Sequence, residues 1–187
     1  MRRPVDASRV RMFMAALGAE ARNESRIYLV GGATAVLTGW RDTTVDVDLK
    51  IVPEDDRLLR AIPRLKDELE INVELASPDG FIPEVPGWQA RSPFIGREGS
   101  ISFHHYDLYS QALAKLERGH AKDMQDVRAM KERGLVDGMR LLGFFEEIEP
   151  RLYRFPAIDP KAFRRAVETF VSPDGISNLA PTTDKQT

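Results

Sequence analysis

The chain contains no cysteine, which excludes disulfides, thiolate metal sites and cysteine nucleophiles together. Histidine is nearly as scarce, with three in all, and neither a zinc-ligand spacing nor a Ser/His/Asp order stands out. There is no surplus of positive charge: 27 basic residues face 29 acidic ones, for a net charge of −2. A general nucleic-acid coat needs a strong basic excess, so that class is disfavoured, whereas a local basic track is compatible with an RNA substrate. No apolar run is long enough to cross a bilayer. Arg2 and Arg3 precede a stretch broken by charges, in which Val10, Phe13, Met14 and Leu17 recur at helical spacing. That is the pattern of an amphipathic helix and not of a signal peptide. The expectation is a cytoplasmic protein with no membrane partner.

The 187 residues suffice for one domain with a substantial core and a helical extension. A helix is expected over 8–23 and a strand over 26–30. Gly31 and Gly32 then turn the chain into a short helix over 33–38, closed by Gly39. A strand over 44–52 ends at Pro53, and a helix over 55–69 must kink or split at Pro63. The next strand covers 71–77, with Ile71, Val73 and Leu75 on one face and Asn72 and Glu74 on the other. A Pro- and Gly-rich loop over 78–99 carries Phe81, Trp88 and Phe94, and reads either as a lid or as an apolar flap on the sheet. A strand over 100–106 precedes helices over 108–118, 120–133, 138–149 and 161–171. This organisation gives an α+β core over 1–106, a helical C-terminal part over 107–171, and a polar tail over 172–187 expected to be disordered.

The chemistry concentrates in YLVGGATAVLTGWRDTTVDVDLKI, from Tyr28 to Ile51. Side chains alternate across a strand, so Asp46, Asp48 and Lys50 share one face while Val45, Val47, Leu49 and Ile51 share the other. Two like charges on one face repel unless a cation or an arginine intervenes. A divalent metal beside a phosphate chain is one solution, and a solvated edge strand is the bland alternative. Glu74, on the polar face of the next strand, is the natural third acid, with Asp79 in the following loop as the other choice. Gly31 and Gly32 open a helix whose N–H groups can meet a phosphate. Arg41 and Thr44 can touch phosphate oxygens or brace the loop.

A second cluster lies in KLERGHAKDMQDVRAM. Lys115 and Arg118 share one helix face, and Asp123 and Asp126 share another. Without other context this reads as a solvated face with helix ion pairs such as Lys122 with Asp126. His104 and His105 are adjacent on a strand, face opposite sides and cannot chelate one metal together. They and His120 read as structural.

Together these pieces resemble the nucleotidyltransferase superfamily, whose members carry an apolar strand, a Gly-Gly or Gly-Ser turn, an Asp-x-Asp pair on the next strand and a third acid later. Here those are Leu29–Val30, Gly31–Gly32, Asp46 with Asp48, and Glu74. Gly-Gly-Ala-Thr followed by Arg41-x-x-Thr44-x-Asp46-x-Asp48 is most similar to bacterial nucleotidyltransferase-like proteins related to abortive-infection toxins. Lys115, Arg118, Asp123 and Asp126 match a later helical motif of that group, and the resemblance spans roughly residues 27–130. It implies a small mixed sheet flanked by helices. It also implies that Asp46 and Asp48 bind Mg²⁺ or Mn²⁺, with Glu74 as third ligand or general base. Gly31, Gly32, Arg41, Thr44, Lys115 and Arg118 would hold a nucleoside triphosphate, with Asp123 and Asp126 as accessory groups. The implied reaction moves a nucleoside monophosphate to an acceptor hydroxyl on a protein, an RNA end or a small molecule, in a toxin–antitoxin setting or outside one. The competing expectation is a catalytically inactive scaffold that binds a small protein partner through the Trp88 loop or the C-terminal helices.

Overall fold

The computed structural model describes residues 4–172. The chain divides into two compact units, one drawn from Met1–Ser77 and Arg91–Tyr106, the other from Pro78–Ala90 and Asp107–Thr187. From residue 173 onward, the expected disordered tail lies outside the described residues.

In the first unit, β1 (Ser25–Val30), β2 (Asp46–Val52), β3 (Asn72–Leu75), β4 (Phe94–Glu98) and β5 (Ile101–His105) form a sheet of order β3-β2-β1-β5-β4. The sheet is mixed: β1 runs antiparallel to β2 and parallel to β5, β2 runs parallel to β3, and β4 runs antiparallel to β5. Three helices belong to this unit: α1 (Ala7–Glu20), α2 (Gly31–Thr38) and α3 (Asp56–Glu68). One sheet face carries Ile27, Leu29, Val47, Leu49, Ile51, Val73, Ile101 and Phe103, packed with Val10, Phe13, Met14 and Leu17 of α1 and Leu58, Ala61, Ile62 and Leu65 of α3. Each large apolar side chain removed from water there contributes roughly 1.5–3 kcal/mol, so this face sets the register of β1, β2, β3 and β5. The expected mixed α+β core is the one observed.

Helix starts follow one local rule. Aspartates cap five of the described helices: Asp6 before α1, Asp55 before α3, Asp107 before α5 (Leu108–Arg118), Asp137 before α7 (Gly138–Ile148) and Asp159 before α8 (Pro160–Val171). In each, the carboxylate accepts from orphan first-turn N–H groups. Helices α2 and α6 (Ala121–Glu132) depart from this rule: their cap residues, Val30 and His120, make no side-chain cap bond.

Several boundaries differ from the sequence expectation. α1 stops at Glu20, and α2 begins at Gly31 and not at residue 33, because a positive φ of 57° at Gly31 lets the strand pass into the helix without a linker. β2 begins at Asp46. Thr44 instead forms an isolated bridge with Val5, and Val45, expected on the apolar face, is 62% exposed. α3 runs through Pro63 as one helix; Pro63 sits on the exposed side, where water can serve the Leu59 carbonyl that loses its donor. Leu75 was expected on the buried face and is 59% exposed, because β3 ends the sheet. Within the expected 78–99 loop, the chain forms a short helix α4 (Trp88–Arg91) and the edge strand β4. Trp88 is buried, whereas Phe81 and Phe94 are exposed.

The second unit is helical, with α5, α6 (Ala121–Glu132), α7 and α8. Its buried residues include Leu113, Leu116, Val127, Met130, Leu141, Phe145, Phe163 and Phe170. Phe145 and Phe163 meet edge to face at 4.9 Å between ring centroids. Among the described residues no helix is long and apolar enough to cross a membrane.

Candidate active site

The sheet face opposite the α1/α3 core carries the acids. Residues of β2 alternate between half-buried and buried, so Asp46, Asp48 and Lys50 share the open side while Val47, Leu49 and Ile51 go into the core. The parallel β2–β3 register sets Asp46 opposite Asn72 and Asp48 opposite Glu74. Glu74 therefore lies alongside the Asp-x-Asp pair on the same face, exposed at the sheet edge. Asn72 links the two strands: its Nδ2 donates to Asp46 Oδ1 at 2.5 Å and to Glu74 Oε1 at 3.2 Å.

The glycine pair is fitted to this strand. A Cβ on Gly31 would lie 3.3 Å from Asp48 Oδ2, so the Asp48 carboxylate sits against the first residue of α2. Negative charge is favoured there by the helix dipole. A Cβ on Gly32 would lie 1.9 Å from Thr44 Oγ1 and 2.7 Å from Thr44 Cβ. Thr44 is buried, its Oγ1 donates to the Asp46 carbonyl at 3.1 Å, and its backbone exchanges two hydrogen bonds with Val5 at 2.7 and 2.9 Å. Of the two roles open to Thr44, the contacts are those of a brace that sets the approach to Asp46. Arg41 is half-buried in the turn after α2, where its N–H and that of Trp40 both reach the Ala35 carbonyl.

Beside the acids, Tyr28 faces Lys50 across β1–β2 and His104 across β1–β5. Its buried ring packs on His104 at 5.4 Å and edge-on to Tyr106 at 6.1 Å. His105 takes the other face, as adjacency on a strand requires. Thr34 Oγ1 donates to the Leu29 carbonyl at 3.0 Å, and His105 Nδ1 lies 3.3 Å from Thr34 Oγ1. Burial, then the positive charges of Arg11 and His104, push the His105 imidazole down to about 4.

The helical unit holds its own cluster. Lys115 Nζ donates to Asp123 Oδ1 at 3.1 Å and Asp126 Oδ2 at 2.6 Å, while Arg118 grips Asp123 with two hydrogen bonds of 2.7 Å. Lys115, Asp123 and Asp126 are all buried. The bland reading of a solvated face is thereby corrected, since α5 and α6 close their charged sides on each other. Burial alone would raise the Asp123 carboxyl; the Arg118 hydrogen bonds and the Lys115 charge outweigh it and hold it below the usual range. Lys115 thus gives its ammonium to two carboxylates of its own helical unit.

The structure thus sets the Asp-x-Asp pair on the open sheet face against a Gly-Gly helix start, on a mixed α+β fold. The chain belongs to the family described as nucleotidyltransferase of unknown function (DUF6036), which matches residues 8–156. No curated protein and no solved structure matches it.

Such chemistry implies a divalent cation, and the donor set can be tested against it. Among the described residues no three His, Cys, Asp or Glu side chains gather into a metal-holding group. Asp46 and Asp48 nevertheless offer hard carboxylate oxygens on one face, and a cation that retains waters and takes substrate phosphates needs only one or two of these. The amide donor between Asp46 and Glu74 also marks a spot where the site favours positive charge. The residues fit Mg²⁺ or Mn²⁺ shared with a polyphosphate. The sequence reasoning missed Asn72, and the only signal for it was its place on the polar face two residues before Glu74.

Proposed function

We propose that the protein transfers a nucleoside monophosphate from a nucleoside triphosphate to an acceptor hydroxyl, with Asp46 and Asp48 holding Mg²⁺ or Mn²⁺. The observation that carries this reading is the packing of Asp48 against Gly31, the first residue of α2, on the same strand face that carries Asp46. In this reading the N–H groups after Gly31 and the Arg41 guanidinium receive phosphate oxygens. Glu74 takes the proton of the acceptor hydroxyl as its oxygen bonds to the α-phosphorus. The bond to the β-phosphate oxygen breaks, and pyrophosphate leaves. A bound cation supplies charge neutralisation on the phosphates. Lys115 and Arg118, the other expected phosphate contacts, are engaged with Asp123 and Asp126 inside the helical unit.

The test offers triphosphates labelled at the α-phosphate, with Mg²⁺, to RNA, protein extracts and small hydroxyl compounds, and follows both transferred label and pyrophosphate. Transfer that disappears in Asp46→Asn supports the reading; transfer that survives it rejects these residues as the site. If the activity is that of a toxin, expression arrests growth and Asp46→Asn restores it. A catalytically inactive, partner-binding scaffold predicts no pyrophosphate with any acceptor.

A further inference from the structure

We propose that Asn72 is a positioning residue for the cation site, a role that rests on the function proposed above. Asn72 stands directly opposite Asp46 in the parallel β2–β3 pairing, two residues before Glu74. Its single amide nitrogen reaches both acids, at 2.5 Å to Asp46 Oδ1 and 3.2 Å to Glu74 Oε1. An Asn side-chain nitrogen carries two hydrogens, so it can serve both acceptors at once. Each carboxylate therefore has one oxygen held by the amide. Without it, like charges push the two carboxylates apart, Glu74 most freely because it is exposed on the edge strand β3.

The amide thus does two things. It fixes the rotamers of Asp46 and Glu74 before a cation arrives, and it lowers their mutual repulsion without adding net charge. A lysine at position 72 would compete with the cation, and an aspartate would increase the repulsion. Groups that hold metal ligands from behind typically contribute 10–100-fold in metal affinity. Asn72 itself need not touch the metal.

The test is Mn²⁺ titration of the full chain, following loss of the free-ion electron paramagnetic resonance signal, for wild type, Asn72→Ala, Glu74→Ala and the double variant. Thermal unfolding without metal serves as the folding control. The expected result is a dissociation constant raised roughly tenfold or more in Asn72→Ala, with a cooperative metal-free melt showing that the variant is folded. The double variant should lose less than the product of the two single losses, because Asn72 acts partly through Glu74. Wild-type affinity in Asn72→Ala overturns the positioning role while leaving the cation site standing. Strictly multiplicative losses overturn the bridge to Glu74. Absence of saturable Mn²⁺ binding in the wild type overturns this role, because it removes the preformed site, and leaves the transfer reading to its own labelling test. Should Asn72→Ala fold poorly, Asn72→Ser keeps the comparison, with the same weakening expected because the shorter side chain cannot span both acids.

Discussion

Replacing Gly32 with alanine adds one methyl group, and the structure says where it would go. The new Cβ would lie 1.9 Å from Thr44 Oγ1, 2.7 Å from Thr44 Cβ and 3.4 Å from Thr44 Cγ2, against about 3.5–4 Å for comfortable carbon contacts. Rotating the Thr44 side chain moves Oγ1 and Cγ2 but cannot move Cβ. The Thr44 backbone cannot retreat cheaply, since both its N–H and its carbonyl are bonded to Val5. Overpacking of this kind costs about 1–3 kcal/mol, and two pinned backbones put the cost near 3. Gly→Ala returns up to about 1 kcal/mol in a helix, leaving a net loss of about 2 kcal/mol. Urea unfolding of Gly32→Ala reads this directly. Thr44→Gly in the same chain removes every contact that clashes, so the double variant should be at least about 1 kcal/mol more stable than the sum of the single effects. Gly31→Ala makes an informative contrast: its Cβ meets only the mobile Asp48 carboxylate at 3.3 Å, so it pays mainly the positive φ, about 1–2 kcal/mol, while displacing Asp48. Wild-type stability for Gly32→Ala, or strict additivity with Thr44→Gly, would refute the steric argument.

Two further outcomes follow from buried ionisable groups. His105, held to about 4 when folded and near 6.5 when unfolded, makes the unfolded chain bind more protons between those values. Its contribution is therefore complete above about pH 6.5 and falls by at most about 3 kcal/mol as the pH drops to 4; the stability difference between wild type and His105→Gln, measured across this range, should follow that slope. Removing Lys115 takes the ammonium from buried Asp123 and Asp126, so Lys115→Met should cost about 3–5 kcal/mol. Arg118→Ala, whose side chain is 53% exposed, should cost only about 1 kcal/mol, and chemical denaturation of the two variants checks the order.

What could be seen in the sequence depended on how local its cause was. The acidic face of β2 was legible because strand alternation and an apolar core face are properties of adjacent residues. The Gly-Gly turn was legible as a turn, but the reason for Gly32 was not, since Thr44 meets it only through the fold. β4 was missed because FIGRE offers no clean alternation: Phe94 is exposed, Gly96 falls at a register shift, and its partner β5 supplies the pairing. The Lys115 cluster was visible as charges at helical spacing. Whether such charges are solvated or buried depends on which faces of α5 and α6 meet. Asn72 carries no motif, and its importance appears only once the β2–β3 register is known.

The central claim is that Asp46 and Asp48 form a metal-dependent nucleotide site. Calorimetric titration of the four ribonucleoside triphosphates with Mg²⁺, into wild type and the Asp46→Ala/Asp48→Ala variant, tests it most directly. The account predicts saturable heat for at least one triphosphate in the wild type and none in the variant. Equal binding by both proteins, or no heat from any triphosphate in the wild type, would contradict it.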